Sequence, residues 1–169
     1  MSSARRRHLI VDGHSVIHAW PDVRLVHERN PRAARDELVS RLTALHDGAE
    51  EAVVVVFDGT GPRRAESDRA RPTDVQVVYS GRGQTADAVI ERLVGYYAAT
   101  HDLTVVTEDG AVRLAVTAAG AWSMSAEALL GRCQQAVRTR DRELATRRGR
   151  GGGYRLGEAW QPDGKAPKA

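Results

Sequence analysis

Two short apolar runs constrain the fold of this chain more than any other feature. They read HLIV at residues 8–11 and AVVVVF at residues 52–57, and Asp-Gly follows each run directly. A strand with one face in water alternates between polar and apolar residues, and these runs do not. They are typical of strands buried on both faces, as in a parallel sheet covered by helices.

Three further runs of apolar or β-branched residues follow along the chain. They read VQVVY at 75–79, LTVVT at 103–107 and AWSM at 121–124, and helical patterns lie between the runs. An alternation of strands and helices indicates an open α/β domain. We therefore predict a mainly parallel sheet of about five strands, flanked by helices.

Capping residues mark the starts of three predicted helices. Asn30-Pro31 is typical of an N-cap followed by proline in the first turn, and Thr85 and Ser125 are suited to cap two later helices. Behind each cap, apolar residues recur on one stripe, as expected for a helix that packs on a sheet. The stripes comprise Ala34, Leu38, Leu42 and Leu45; Val89, Ile90, Leu93, Val94 and Tyr97; and Leu129, Leu130 and Cys133.

Composition limits the class of protein. A chain of 169 residues with 41% hydrophobic and 28% charged residues is typical of one soluble globular domain. No apolar stretch is long enough for a membrane span, and the N-terminus lacks the layout of a signal peptide. The single cysteine, Cys133, excludes an intrachain disulfide and favours a reducing compartment. We therefore expect a cytoplasmic protein without a membrane partner; the sequence predicts no oligomeric state.

The composition changes near the C-terminus. From about Arg147 the sequence reads RRGRGGGYRLGEAWQPDGKAPKA, which is rich in Gly, Pro and charge. Such composition is typical of a flexible or peripheral segment. We predict a domain over residues 1–146 and a basic, Gly-rich tail over residues 147–169.

Acidic residues lie where several predicted strands end. Asp12, Asp58 and Asp109 occupy such ends, and Asp87 opens the helix after a fourth strand. In open α/β sheets the ligand site lies beyond the carboxyl ends of the strands. Several carboxylates in one crevice are costly unless a cation neutralises them, and Mg²⁺ prefers such oxygens. This set indicates metal-assisted phosphodiester cleavage. Turn formation and helix capping explain each acid taken alone, although Thr85 can already cap the helix that carries Asp87.

Four blocks of this sequence resemble a known family. LIVDGHSVIHAWP, VVVVFDG, VVYSGRGQTADAVIERLV and VVTEDGAVRLAVTAAGAWSMSAEAL are similar to the YacP-like branch of the NYN-domain family, within the wider PIN-like nucleases. The blocks run from about His8 to Leu130 in the family's order. The resemblance implies a PIN-like three-layer α/β domain and a divalent-metal site of acidic residues. It also implies endonuclease action on RNA, in some relatives on messenger RNA at the ribosome.

The resemblance also suggests roles for individual residues. Asp12 and Asp87 match the family's principal acids, while Asp109 and Asp58 match the acids of two further blocks. The residues expected to bind Mg²⁺ or Mn²⁺, directly or through water, and to serve catalysis are Asp12, Asp87 and Asp109. Acids expected to support them are Asp58, Glu108 and Glu91. Hydroxyls expected to orient them are Ser15, Thr85 and Thr107.

The sequence departs from the family's pattern at two places. The family usually reads Asp-Gly-Tyr-Asn after the first strand, and residues 12–15 here are Asp-Gly-His-Ser. Glu108 replaces a small polar residue. Two other functions stay open, the first of them because of these departures. One is a catalytically degenerate RNA- or ribosome-binding module, and the other is a small-molecule phosphohydrolase.

Clustered arginines fit an RNA partner, because arginine holds phosphates without specifying sequence. A solvated charged loop and a solubilising tail explain the same clusters equally well. The arginines predicted to bind RNA are Arg63, Arg64, Arg69, Arg71, Arg82, Arg147, Arg148 and Arg150.

Overall fold

Five strands and six helices alternate along the part of the chain that the structure describes. The structure is a computed structural model, and it describes residues 6–48, 51–61 and 75–151, with side chains as far as Arg147. The elements are β1 (Arg7–Asp12), α1 (Gly13–Ala19), α2 (Pro21–Arg29), α3 (Pro31–Gly48), β2 (Ala52–Phe57), β3 (Gln76–Tyr79), α4 (Ala86–Tyr97), β4 (Asp102–Val106), α5 (Gly110–Ala118), β5 (Trp122–Met124) and α6 (Ala126–Gly151).

The five strands form one parallel sheet in the order β3-β2-β1-β4-β5. β1 is central, and its Ile10 pairs with Val54 on one side and Val105 on the other. The chain builds β2 and β3 on one side of β1 and then returns to place β4 on the other side. The strand order therefore reverses between β1 and β4, which is where open α/β sheets bind ligands. The predicted parallel five-stranded α/β fold is confirmed.

Both faces of the sheet are covered. Leu9 and Val11 pack on one side with α1, α2, α3 and α6, whereas Ile10 packs on the other side with α4 and α5. This three-layer arrangement explains why the central strands lack alternation, since each of their faces meets a hydrophobic layer. The predicted stripe on α3 is buried at Ala34, Leu38, Leu42 and Leu45.

Helices α1, α2 and α5 were not predicted from the sequence. α1 has only seven residues and α2 nine, so neither shows a long apolar stripe. Their signals are local: Asp12 caps α1, and Pro21 begins α2. Trp20, at the corner between them, donates a buried 2.8 Å hydrogen bond from Nε1 to the carbonyl of Ala126. This bond fixes the corner against the start of α6.

Helix α6 runs through the point at which the sequence composition changes. It ends at Gly151, so Arg147 is helical, and residues 152–169 lie outside the described part of the chain. The division into a domain and a tail stays a prediction. None of the helices in the described ranges combines the length and the apolar character that a membrane span requires.

Candidate active site

Asp12 ends the central strand and is the most buried of the predicted acids, with 5% of its surface exposed. Its Oδ1 accepts a 3.1 Å hydrogen bond from the backbone N–H of Ser15 and so caps α1. Its Oδ2 accepts a 3.2 Å hydrogen bond from the hydroxyl of Thr107, which follows β4. Asp12 is therefore fixed from both sides of the strand-order reversal.

Thr107 and Ser15 form a hydroxyl network behind Asp12. Thr107 is fully buried, and its Oγ1 also accepts the backbone N–H of Asp109 at 3.1 Å. The hydroxyls of Ser15 and Thr107 are 3.4 Å apart, and Ser15 Oγ accepts the N–H of Glu108 at 3.2 Å. Because Thr107 gives its one proton to Asp12, Ser15 is the donor between the two hydroxyls. This network ties the end of β4 to the start of α1.

Asp58 and Thr85 together fix the first turn of α4. Asp58 Oδ1 accepts the N–H of Ala86 at 2.7 Å, and Thr85 Oγ1 accepts the N–H of Ala88 at 3.2 Å. The predicted cap at Thr85 is confirmed. Asp87 lies in this turn but is not needed to cap it.

The pKa of Asp87 is affected by the charges of four other acids. Burial raises its pKa, and the negative charges of Asp12, Asp109, Asp58 and Glu91 raise it further, in that order. The fold therefore brings the predicted acids close enough to repel one another. Among the described residues, no arginine, lysine or histidine forms an ion pair with any of these five acids.

Asp109 caps helix α5. Its Oδ1 accepts the backbone N–H groups of Ala111 at 2.7 Å and Val112 at 3.0 Å. Helix capping therefore accounts for the hydrogen bonds of Oδ1, one of the two oxygens of this exposed carboxylate. Within the described ranges Oδ2 accepts no hydrogen bond, so it is available to a ligand.

Glu108 points toward α6. Its Oε1 accepts the N–H of Ala126 at 2.6 Å, and its Oε2 lies 3.8 Å from Nη2 of Arg113. Arg113 also donates to the carbonyl of Thr107 at 3.2 Å. Sequence reasoning missed Arg113. Its position in the sequence could have indicated this role. Arg113 lies four residues after Asp109, which places both residues on one side of α5.

Comparison with known proteins gives the family. The model of the YacP-like NYN domain matches residues 9–165, which is nearly the whole chain. The chain belongs to the YacP-like NYN domain family. NYN domains are PIN-like and generally nucleases, so membership supports a nuclease-like, hydrolytic role.

Relatives from Bacillus subtilis are similar to this NYN domain over most of their length. The protein YacP of strain 168 is 28% identical over 137 residues, which is 80% of each chain. The crystal structure of a Rae1 (YacP) mutant, in which leucine replaces one tryptophan, superimposes with a TM-score of 0.69 at 28% identity, covering 82% of this chain and 81% of that one. The crystal structure of Rae1 (YacP) without that substitution gives a TM-score of 0.66 at 28% identity, covering 85% and 84%.

PIN-like nuclease domains typically use divalent metals, and the carboxylates of this NYN domain suit one kind of metal site. In the described ranges, no group of three or more His, Cys, Asp or Glu side chains is arranged to enclose a metal ion. Mg²⁺ does not need such a cage, because it usually takes one or two carboxylates and completes its shell with water and phosphate. Each oxygen of Asp12 accepts one hydrogen bond and retains a lone pair. The residues fit a hydrated, hard cation better than a closed zinc-type site.

The structure describes the side chains of only two of the arginines predicted to bind RNA. Arg82 is exposed in the turn before α4, between Gly81 and Gly83, whose φ angles of +83° and +75° suit glycine. Arg147 is exposed on α6. Arg148 and Arg150 lie in α6 without described side chains, and the remaining predicted RNA contacts lie outside the described residues: Arg63, Arg64, Arg69 and Arg71.

Proposed function

We propose that this YacP-like NYN domain is a divalent-metal-dependent endoribonuclease, a hydrolase of RNA phosphodiester bonds. The observation that carries the proposal is the raised pKa of Asp87, caused by burial and by four neighbouring carboxylates. Like charges at the strand-order reversal destabilise the fold unless they bind a cation or a proton. Carboxylates with such raised pKa values cluster at functional sites, and the nuclease character of the family supports a catalytic use of this cluster.

The residues proposed to hold Mg²⁺ or Mn²⁺ are Asp12, Asp87 and Asp109. When bound, such an ion activates a water molecule and stabilises the leaving oxygen of the phosphodiester. Thr107 and the backbone of Ser15 fix the orientation of the Asp12 carboxylate.

Two further acids support Asp87 in this proposal. Asp58 holds the turn that carries Asp87, through its bond to the N–H of Ala86. Glu91 lies one turn further along α4 and adds negative charge to the crevice.

The proposed substrate is RNA, and messenger RNA presented by the ribosome in the cytoplasm is the proposed context. The exposed side chain of Arg82, in the turn before the helix that carries Asp87, is suited to hold a phosphate beside the acidic crevice. Arg147 is also exposed but lies about 30 Å along α6 from Ala126, so it would contact a more distant part of an RNA. Binding through phosphates positions a strand without selecting a sequence. A ribosome would then supply the choice of cleavage point.

Cleavage of labelled RNA tests this proposal. A structured RNA pool would be incubated with Mg²⁺, with Mn²⁺ and with EDTA, and messenger RNA on translating ribosomes would be incubated with the Mg²⁺ that keeps ribosomes assembled. The wild type, Asp12→Asn/Asp87→Asn and the control Asp36→Asn, an exposed acid on α3, would be compared. We expect metal-dependent cutting that the double variant loses and the control keeps. Uncut RNA in both substrates would contradict the proposal.

One observation favours a second function, a non-catalytic RNA- or ribosome-binding module. Ser15 stands where the family usually has Asn, and its short hydroxyl is already engaged with Thr107 and Glu108. RNA or ribosome binding that is equally tight with and without metal, together with no cutting, would identify this function.

A further inference from the structure

A cavity lies on the α4 face of the sheet, toward the amino ends of the strands and away from the acids. Its volume is about 240 Å³. The pairing of Val54 with both Ile10 and Gln76 places these three side chains in one row across its floor. The lining residues are Ile10, Val54, Val78 and Leu103 from the sheet, Leu93 and Tyr97 from α4, and His8, Gln76 and His101 at the rim.

Three rings form one wall of this cavity. His101 packs edge-to-face against His8, with ring centroids 4.8 Å apart, and against Tyr97, with centroids 5.3 Å apart. Tyr97 is 48% exposed although it belongs to the apolar stripe of α4. An edge-to-face arrangement leaves ring faces and edges open to a further aromatic group.

The polar groups of the rim are neutral donors and acceptors. No Asp, Glu, Lys or Arg is among the described residues that line the cavity. The Gln76 amide offers both a donor and an acceptor, and the Tyr97 hydroxyl can serve as either. The Nδ1 atoms of His8 and His101 contact the carbonyl of Arg6 and the hydroxyl of Thr100, respectively. The other ring nitrogen of each histidine has no hydrogen-bond partner in the described part of the chain.

This chemistry selects a planar, uncharged ring with hydrogen-bonding edges. Drug-sized ligands occupy cavities of about 300–1,000 Å³, so the smaller space here suits a single ring system. The aliphatic floor desolvates a ring face, while Gln76 and Tyr97 can pair with alternating donors and acceptors on its edge. Nucleobases combine a π-face with such an edge.

We propose that this cavity, the base pocket, binds a nucleobase. As a subsite for the RNA substrate, the pocket rests on the proposed function. His8 and Asp12 are four residues apart on β1, which corresponds to about 13 Å. Asp87 and Tyr97 are ten residues apart on α4, about 15 Å. Buried side chains such as Ile90 and Val94 fill the space between α4 and the sheet, so an RNA strand would have to pass around α4. At about 3.4 Å per stacked nucleotide, the base in the pocket would therefore be at least about four nucleotides from the bond at the acids.

Variants of two adjacent tyrosines test the base pocket. Tyr97 lines it, whereas the neighbouring Tyr96 is 74% exposed and does not. In EDTA, to prevent cleavage, the full chain would be titrated with a labelled octanucleotide and a dinucleotide. We expect Tyr97→Ala to weaken octanucleotide binding about tenfold and Tyr96→Ala to leave it unchanged. Tyr97→Phe should fall between Tyr97→Ala and wild type, because it keeps the ring and loses the hydroxyl. Dinucleotide binding should weaken by a similar factor, because a dinucleotide also carries a base that can enter the pocket.

The base in the pocket could belong to an RNA strand or to a free nucleoside. Saturation-transfer NMR with adenosine and uridine distinguishes the two. Transfer from the protein to either nucleoside, lost in Tyr97→Ala, together with weaker octanucleotide binding supports a subsite for RNA. Nucleoside transfer without any change in octanucleotide binding supports a pocket for a free nucleoside. Equal effects of Tyr96→Ala and Tyr97→Ala, or no nucleoside transfer, would overturn the base pocket. So would transfer that appears only after removal of residues 1–5, which would indicate that this chain's own N-terminal segment fills the cavity.

Failure of the base pocket and failure of the proposed function give different results. If RNA is cut in a metal-dependent way and Tyr97→Ala changes no binding, only the pocket is wrong. If nucleosides bind at Tyr97 and RNA is never cut, the pocket stands as a nucleobase site and the endoribonuclease is wrong.

Discussion

The hydroxyl of Thr107 donates a 3.2 Å hydrogen bond to Oδ2 of Asp12 across 95 positions of sequence. Thr107 is fully buried and Asp12 is 5% exposed, so the bond is largely shielded from water. It joins the carboxyl ends of β1 and β4, the two strands between which the strand order reverses. The orientation of the central carboxylate therefore depends on a residue that follows a different strand.

Thr107→Val keeps the shape of this side chain and removes its hydroxyl. Asp12 then loses a donor and the N–H of Asp109 loses an acceptor. We expect a loss of about 1–3 kcal/mol in the free energy of unfolding, measured by urea denaturation. Thr107→Ser keeps the hydroxyl and should lose only about 1 kcal/mol, for the missing methyl group. A valine variant as stable as wild type would show that the bond is unimportant.

Alanine substitutions at two glycines that follow strand-end acids should have very different effects on stability. A Cβ at Gly13 would overlap the ring of Phe57, whereas a Cβ at Gly110 would meet no atom within 4 Å. Phe57 is buried and cannot move freely. We expect Gly13→Ala to lower the free energy of unfolding by about 1–3 kcal/mol. Gly110→Ala, in a helix, should be neutral or raise it by up to about 1 kcal/mol. Equal melting temperatures for the two variants would contradict this packing.

Asp87→Asn should stabilise the protein at neutral pH in metal-free buffer. Because burial and neighbouring carboxylates raise the pKa of Asp87, the folded chain binds this proton more tightly than the unfolded chain. Stability therefore falls as pH rises from the ordinary carboxyl pKa of 3.8 through the raised folded value, and stays lowered above it. We expect a higher melting temperature for Asp87→Asn than for wild type at pH 7, and a shrinking difference as pH falls through that interval.

The matched control for this charge effect is Asp36→Asn, on the exposed side of α3. It removes the same charge away from the acidic crevice, so it should show no such pH-dependent gain. A gain of equal size in Asp36→Asn would mean that the effect comes from net charge and not from the crevice.

Glu108 is expected to act on helix α6. Its carboxylate accepts the N–H of Ala126, so Glu108→Ala leaves that group without its partner. We expect a loss of about 0.5–2 kcal/mol in the free energy of unfolding, as for other N-terminal capping interactions. Glu108→Gln keeps the acceptor oxygen and should lose less. Mn²⁺ affinity should be nearly unchanged in both, and an affinity loss in Glu108→Gln without a stability change would make Glu108 a metal ligand.

The strands were the most predictable part of the fold. The apolar runs at 8–11 and 52–57 correspond to the strands Arg7–Asp12 and Ala52–Phe57. They were recognisable because a strand buried on both faces has an uninterrupted apolar sequence. Helices α1 and α2 were missed because their short stripes give weak periodicity. Strand order could not be read from the sequence either, since it depends on contacts between distant segments.

The candidate site was predictable in type but not in detail. Placing Asp12 and Asp58 at strand ends followed from the sequence, whereas the bond from Thr107 to Asp12 requires knowing that β4 lies beside β1. Nothing in the sequence indicates that Glu108 contacts α6. Roles for the acids, in metal binding and catalysis, stay predictions until they are measured.

The decisive measurement for a metal-dependent nuclease is the single-turnover cleavage rate of one labelled RNA, free of ribosomes and in Mg²⁺-free buffer, as a function of Mn²⁺ concentration. Wild type, Asp12→Asn, Asp87→Asn and Asp36→Asn would be compared in the same preparation. We predict rates that rise and saturate with Mn²⁺ for wild type and Asp36→Asn, and no cleavage above background for Asp12→Asn or Asp87→Asn. Cleavage that does not depend on metal, or that survives both substitutions, would contradict a metal-dependent site at these acids.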